Sequence, residues 1–248
     1  MNKTWPGGLR EKGAMSRDRR LNLAYSRAKR IAIDDKSKVV LFSDCHRGRG
    51  NNADGFAKNQ KLYYTALAHY YRHGFTYIEL GDGDELWEER HMRDIKGEYD
   101  HIFGLLAVLY QEGRFHMLYG NHDMVKRREK WVRENLWEYR PRSRDTPVPL
   151  FPDITVEESI LLVHTQTVEK RLLQWGERSR IAVVAGHTHR PSFPRGVRAG
   201  YLNTGSCVHT RYITALEISA GVMALVKWEV AVREDGVLYI TKEGMQVF

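Results

Sequence analysis

Cysteine is scarce in this chain, with only Cys45 and Cys207 among 248 residues. That excludes a disulfide framework and fits a reducing compartment, so a cytoplasmic location is expected. Long apolar runs are missing as well, and none approaches the length that crosses a bilayer. The opening MNKTWPGGLREKG is polar and glycine-rich where a signal peptide would need an apolar stretch, so neither export nor membrane insertion is expected. No repeat or low-complexity tract is visible. What is present, 42% hydrophobic and 28% charged residues, describes a soluble globular chain able to bury a core and excludes disordered and collagenous classes.

Charge is uneven. Lys and Arg total 39 against 31 Asp and Glu, a net +8, and residues 1–36 hold ten basic and four acidic residues. A second basic stretch, Lys126 to Arg144, carries eight basic residues against Glu129, Glu134 and Glu138. Such clusters attract the phosphates of nucleic acids, lipids or small substrates, although a charge run is more often a solvated helix face. Residues 15–33 read as a basic amphipathic helix with Leu21, Ala24, Ala28 and Ile31 on one stripe. It would either dock onto the body or make a peripheral contact with anionic lipid or nucleic acid.

From Lys38 onward, β-rich runs alternate with helix-period stretches, the α/β signature. Strands are expected at 39–42, 75–80, 114–119, 160–163, 181–185 and 201–203, with helices near 54–73 and 99–112. Asp54 is placed to cap the first helix, and Gly74 and Gly113 to end the two. Runs at 212–218, 222–230 and 237–241 read as an antiparallel meander. Together these suggest two sheets packed face to face and flanked by helices.

Five of these strands end in loops that open with metal-ligating residue types. VVLFS runs into Asp44, Cys45 and His46; FTYIEL into Gly81 and Asp82; RFHMLY into Gly120, Asn121, His122 and Asp123; ILLV into His164; IAVVA into Gly186, His187, Thr188 and His189. Carboxyl ends of parallel strands share one sheet edge, so Asp44, His46, Asp82, Asn121, His164, His187 and His189 can converge there. His69, His73, His91 and His101 fall in helical stretches without a completing ligand set. His116 and Cys45 read as packing residues, and His209 as an unassigned neighbour of the site.

The ligand count exceeds one metal's needs and implies two divalent ions. Two dications about 3.7 Å apart repel by roughly 18 kcal/mol at an effective dielectric of 20, so an anionic bridge is required. Asp82, short and placed behind Gly81, is the best bridge. Metal-acidified water then supplies the nucleophile without a Ser or Cys triad.

DCH at 44–46, GDGDE at 81–85, GNHD at 120–123, His164 and GHTH at 186–189 resemble, in order and spacing, the calcineurin-like metallophosphoesterases over roughly residues 38–206. The resemblance implies a four-layer α/β/β/α sandwich of two packed mixed β-sheets flanked by helices. It also implies a dinuclear site, with Asp44, His46, Asp82 and His189 on one metal and Asp82, Asn121, His164 and His187 on the other. His122 would sit beside the substrate as proton donor, with Asp123 orienting or charging it. Arg47 and Arg190, each next to a ligand, would add phosphate contacts.

Residues 1–36 are then a basic helical extension and 37–248 the metallophosphoesterase domain. Mixed His, carboxylate and amide ligation suits manganese first, with iron or zinc as alternatives. GDGDELW, GHTHRP and YLNTGS are similar to UDP-diacylglucosamine pyrophosphatases, which place a Glu and a Trp where Glu85 and Trp87 stand. Against that branch, His122 replaces its arginine, and only 22 residues separate His164 from His187, too few for a large lipid-binding lid. The expected activity is hydrolysis of a phosphomonoester, phosphodiester or pyrophosphate bond in a small phosphate-containing substrate. The alternatives are a nuclease, for which the basic stretch after GNHD speaks, and a non-catalytic scaffold on the same fold.

Overall fold

Alternation along the strands sets the layers. The computed structural model describes residues 8–136, 139, 150–151, 153–157, 159–193 and 200–247. In strand β2 (Lys38–Phe42), Val39 and Leu41 point into one buried cluster, whereas Val40 and Phe42 point into another. A strand buried on both faces must lie inside a sheet covered on both sides, and its unbroken apolar run follows from that.

β2 lies in a seven-stranded sheet with β3 (Thr76–Leu80), β4 (Phe115–Leu118), β5 (Leu150–Phe151), β10 (Tyr212–Ser219), β11 (Val222–Val232) and β12 (Leu238–Val247), in the order β12-β11-β10-β2-β3-β4-β5. β2 to β5 are parallel, and β10 to β12 form the expected antiparallel meander. The second sheet has five strands, β1 (Lys29–Ile31), β6 (Ile154–Val156), β7 (Ile160–His164), β8 (Ala182–Gly186) and β9 (Tyr201–Asn203), in the order β1-β6-β7-β8-β9. β7, β8 and β9 are parallel.

Leu41, Ile78, Leu80, Leu162, Val184, Leu202 and Leu216 fill the space between the sheets. On the outer face of the larger sheet, helices α2 (Gln60–Arg72), α3 (Met92–Glu98) and α4 (Asp100–Gln111) bury an aromatic cluster that includes Tyr63, Tyr70, Tyr99 and Phe103. On the outer face of the smaller sheet, α1 (Gly8–Arg27) and α6 (Glu169–Ser179) bury Leu21, Leu172 and Trp175. The result is the expected α/β/β/α sandwich.

Two local outcomes differ from the sequence reading. The basic helix stops at Arg27 rather than at 33, and Lys29–Ile31 leaves it to pair in parallel with β6 as an edge strand. Partner strands in the sheet decide that switch, which helical periodicity cannot register. Residues 18–31 are thus built into two layers of the sandwich. Asp54 does cap, but it caps a short 3-10 turn ahead of α2, accepting the amides of Phe56 and Ala57 at 3.0 and 3.2 Å. Gly74 and Gly113 end α2 and α4 with φ of +76° and +73°, as expected.

Of the basic stretch, Lys126 is fully buried, Arg133 pairs with Glu129 on α5 (Glu129–Asn135), and residues 137, 138 and 140–149 lie outside the described residues. Among the described residues no helix is long and apolar enough to cross a membrane.

Candidate metal centre

Parallel strands deliver their carboxyl ends to one edge. β2, β3 and β4 of the larger sheet and β7 and β8 of the smaller one run into the five ligand-bearing loops. Three groups of potential ligands gather there among the described residues: Asp44, His46 and His189; Asp82, His164 and His187; and His46, Glu85 and His122.

The ligand loops hold unusual backbone. Eight described non-glycine residues have positive φ, and five of them are Asp44, His46, Asp82, His187 and His189, between +49° and +92°. Left-handed backbone costs a non-glycine residue about 1–3 kcal/mol and clusters at functional sites. The surroundings enforce it. The amides of Asp44, His46 and Arg47 bond to the carbonyls of Gly81, Asp82 and Gly83, and the His187 amide bonds to the Asp44 carboxylate at 2.9 and 3.1 Å.

Glycine makes the close approach of β3 and β4 loops feasible. A Cβ on Gly120 would stand 2.1 Å from Asp82 Oδ1 and 2.7 Å from the Asp82 backbone nitrogen. Gly120→Ala is therefore expected to push Asp82 and Asn121 apart, lowering bound metal per protein by elemental analysis while costing about 1–3 kcal/mol of stability. Unchanged metal content would contradict the assignment of this loop.

Tautomer logic shows what the cluster could hold. His164 Nδ1 lies 2.9 Å from the Leu80 carbonyl, which only accepts, so Nδ1 carries the hydrogen and Nε2 of the neutral ring presents a lone pair. That lone pair is 2.9 Å from Asp82 Oδ2, another acceptor. His46 repeats the pattern: Nδ1 donates to Glu85 Oε2 at 2.9 Å, and Nε2 faces His189 Nε2 at 3.1 Å. His189 Nε2 is in turn 3.2 Å from Asp44 Oδ1. Facing acceptors repel unless a proton or cation lies between them. Two buried atoms here, Asn121 Oδ1 and His164 Nε2, have no hydrogen-bond partner, and both belong to the set expected for one metal. The donor chemistry fits divalent cations, with His46 and His164 each oriented through Nδ1.

Electrostatics point the same way. Burial disfavours a charged ring at both His46 and His164. The adjoining carboxylates, Asp44 and Glu85 for the first and Asp82 for the second, nevertheless raise them to about 10 and about 9. Burial would raise Asp44 and Asp82, but the histidines hold both below the usual carboxylate range. His187 is lowered by burial and by the charge of His164. The site favours positive charge at its centre.

His122 stands at the rim. Its Nδ1 is 2.8 Å from Glu85 Oε1, its ring packs at a tilt of 35° against Trp87 with centroids 4.2 Å apart, and its amide donates to Asp82 Oδ1 at 2.8 Å. Glu85 thus orients both His46 and His122, a dual contact the sequence reading did not foresee. Glu85 and Trp87, the two residues behind the branch resemblance, both touch His122.

Two expectations are corrected. Asp123 does not orient the His122 ring: it is fully buried and accepts from the amides of Gly120 and Gly83 and from Lys126 Nζ at 2.6, 3.1 and 2.7 Å, so it buckles the loops together. Arg47 is no phosphate contact. At 1% exposure it lies beneath the site, with its guanidinium spent on Glu79 and Asp84. Glu79, charged within an otherwise apolar strand, was the available signal that a buried cation had to meet it. Arg190 is exposed next to His189. His209 stacks on Tyr212, and its Nε2 is buried without a partner.

Models of known families give no match to this chain, nor do curated proteins. Solved structures do. A cold-active protein-tyrosine phosphatase of a psychrophilic Shewanella species is similar over 90% of this chain and 84% of its own, at 15% identity and a TM-score of 0.49. A novel archaeal phosphodiesterase matches over 83% of this chain and 99% of its own, at 14% identity and a TM-score of 0.44. Vps29 of Entamoeba histolytica, complexed with zinc, matches over 84% and 99%, at 15% identity and a TM-score of 0.44. The observed arrangement, two packed mixed sheets flanked by helices, is the one that the motif resemblance implies.

Proposed function

We propose that the chain is a metal-dependent phosphoric ester hydrolase with a dinuclear centre. The observation that carries this reading is the gathering of Asp44, His46 and His189 and of Asp82, His164 and His187 into two ligand groups at one sheet edge, beside the unpartnered Asn121 Oδ1. Asp44, His46, Asp82 and His189 would hold one divalent ion, and Asp82, Asn121, His164 and His187 the other, with manganese first and iron or zinc as alternatives. Such ions, when bound, neutralise phosphoryl oxygens and acidify water into a nucleophile at neutral pH.

The chain's own groups do the rest. Glu85 accepts the Nδ1 hydrogen of His122, which leaves Nε2 as the atom that moves a proton to the departing oxygen or hydrogen-bonds the phosphate. Trp87 packs at a tilt against that ring. Asp123 is a positioning residue, holding the Gly120 and Gly83 amides so that Asn121 and Asp82 face each other. Arg190, exposed beside His189, supplies a further cation for the substrate phosphate.

The test is hydrolysis of bis-p-nitrophenyl phosphate by protein supplemented in turn with manganese, iron and zinc. Metal-dependent turnover abolished by a chelator is expected; no turnover with any of the three would remove the proposal. His122→Ala should lower kcat by about 10²–10⁴-fold at unchanged metal content, as for loss of a general acid. A rise in KM alone would instead assign His122 to binding.

A further inference from the structure

Over its described side chains, residues 18–27, helix α1 is docked by one side only. Leu21 is buried against Leu172 and Trp175, Trp175 Nε1 donates to Asn22 Oδ1 at 2.8 Å, Tyr25 packs on the Trp175 ring, and Asp18 pairs with Arg178 at 2.8 Å. Residues 18, 21, 22 and 25 therefore share the face turned to α6. At 100° per residue, Arg19, Arg20, Leu23 and Arg27 occupy the opposite face, and all four are exposed, Leu23 by 44%. Asp18 is the sole acidic residue between 18 and 27, and it is spent on the docked side.

The contacts also orient the helix. Asp18 meets Arg178 and Asn22 meets Trp175, so α1 runs antiparallel to α6. α6 begins five residues after His164, the last residue of β7, which places its start at the metal edge. The Arg27 end of α1 therefore points toward that same edge.

We propose that the outer face of α1 docks on an anionic phospholipid surface. Guanidinium groups attract lipid phosphates by charge, and Leu23, set among them, offers one apolar side chain to the acyl boundary. A nucleic acid backbone would satisfy the arginines but give exposed Leu23 nothing to bury against. Docked this way, the protein presents its metal edge alongside the headgroup layer. The inference does not depend on the hydrolase reading.

The experiment is cosedimentation of the full chain with phosphatidylcholine vesicles that contain or lack phosphatidylglycerol. Binding to the anionic vesicles alone, weakened by salt, is expected. R19E/R20E/R27E should weaken it by about 100-fold and L23S by several-fold, with circular dichroism and melting temperature unchanged because all four positions are exposed. Absence of cosedimentation with anionic vesicles would overturn the proposal, as would equal binding to neutral ones. Tighter retention by single-stranded RNA than by anionic vesicles, insensitive to L23S, would overturn it in favour of a nucleic acid surface.

Discussion

Asp82→Ala is expected to abolish metal-dependent hydrolysis of bis-p-nitrophenyl phosphate, with kcat lower by roughly 10³-fold or more, and to reduce bound metal in elemental analysis. Among the described carboxylates, Asp82 lies within 4 Å of an imidazole nitrogen expected on each metal, whereas the Asp44 imidazole contacts, His46 and His189, are expected on the same one. Asp82 Oδ2 is 2.9 Å from His164 Nε2 and 3.9 Å from His46 Nε2, the rings expected on different metals. Oδ1 receives the His122 amide at 2.8 Å, so the same side chain ties the candidate metal centre to the loop that carries His122. Alanine would remove the negative charge that lets two dications approach, leaving a repulsion of roughly 18 kcal/mol at an effective dielectric of 20 without its main offset. Equal activity and metal content in the variant would refute the dinuclear arrangement.

Arg47→Ala is expected to be the most destabilising change in the chain, by about 3–5 kcal/mol, because it breaks a buried ionic cluster from one side. Arg47 donates to Glu79 at 2.8 and 3.0 Å and to Asp84 at 2.8 Å, and Lys126 Nζ stands 2.7 Å from both Asp84 and Asp123. All five groups are at most 1% exposed. Burial alone would raise Asp84, but Arg47 and Lys126 pull it down to about 2. Without Arg47, Glu79 keeps Lys126 at 3.9 Å and a long hydrogen bond from the Tyr77 hydroxyl at 3.5 Å, and carries its charge where water cannot reach. A loss of that size is a large fraction of a typical domain's 5–15 kcal/mol. Urea denaturation should show a lower midpoint at unchanged slope. A stable variant with a raised KM would return Arg47 to the substrate. His46, whose neighbour Arg47 bonds through its amide to Gly83, would also shift, so some metal would be lost with the stability.

Much of this was legible in the one-dimensional string. The seven candidate ligands stand directly after strands, and strands are recognisable from runs such as VVLF and IAVVA, so position in sequence already implied position at a sheet edge. The meander at the end of the chain, and helices α2 and α4 with their terminating glycines, were equally readable, since each depends on local periodicity or on a single backbone conformation.

Other features depended on partners distant in sequence. Arg47 and Arg190 look alike as neighbours of ligands, yet one is sealed beneath the site and the other lies open, because only Arg47 has a charged Glu79 in the adjacent strand to meet it. Asp123 follows His122 but points away to Gly83 and Lys126. Glu85 was visible as a motif residue, whereas its reach to both His46 and His122 was not. The sequence by itself determined which side chains arrive at the edge, since chain direction and strand order follow from local pattern. Only the tertiary structure decided which way each one turns there, since orientation is set by the hydrogen-bond acceptor or charge that a remote strand places within 3 Å.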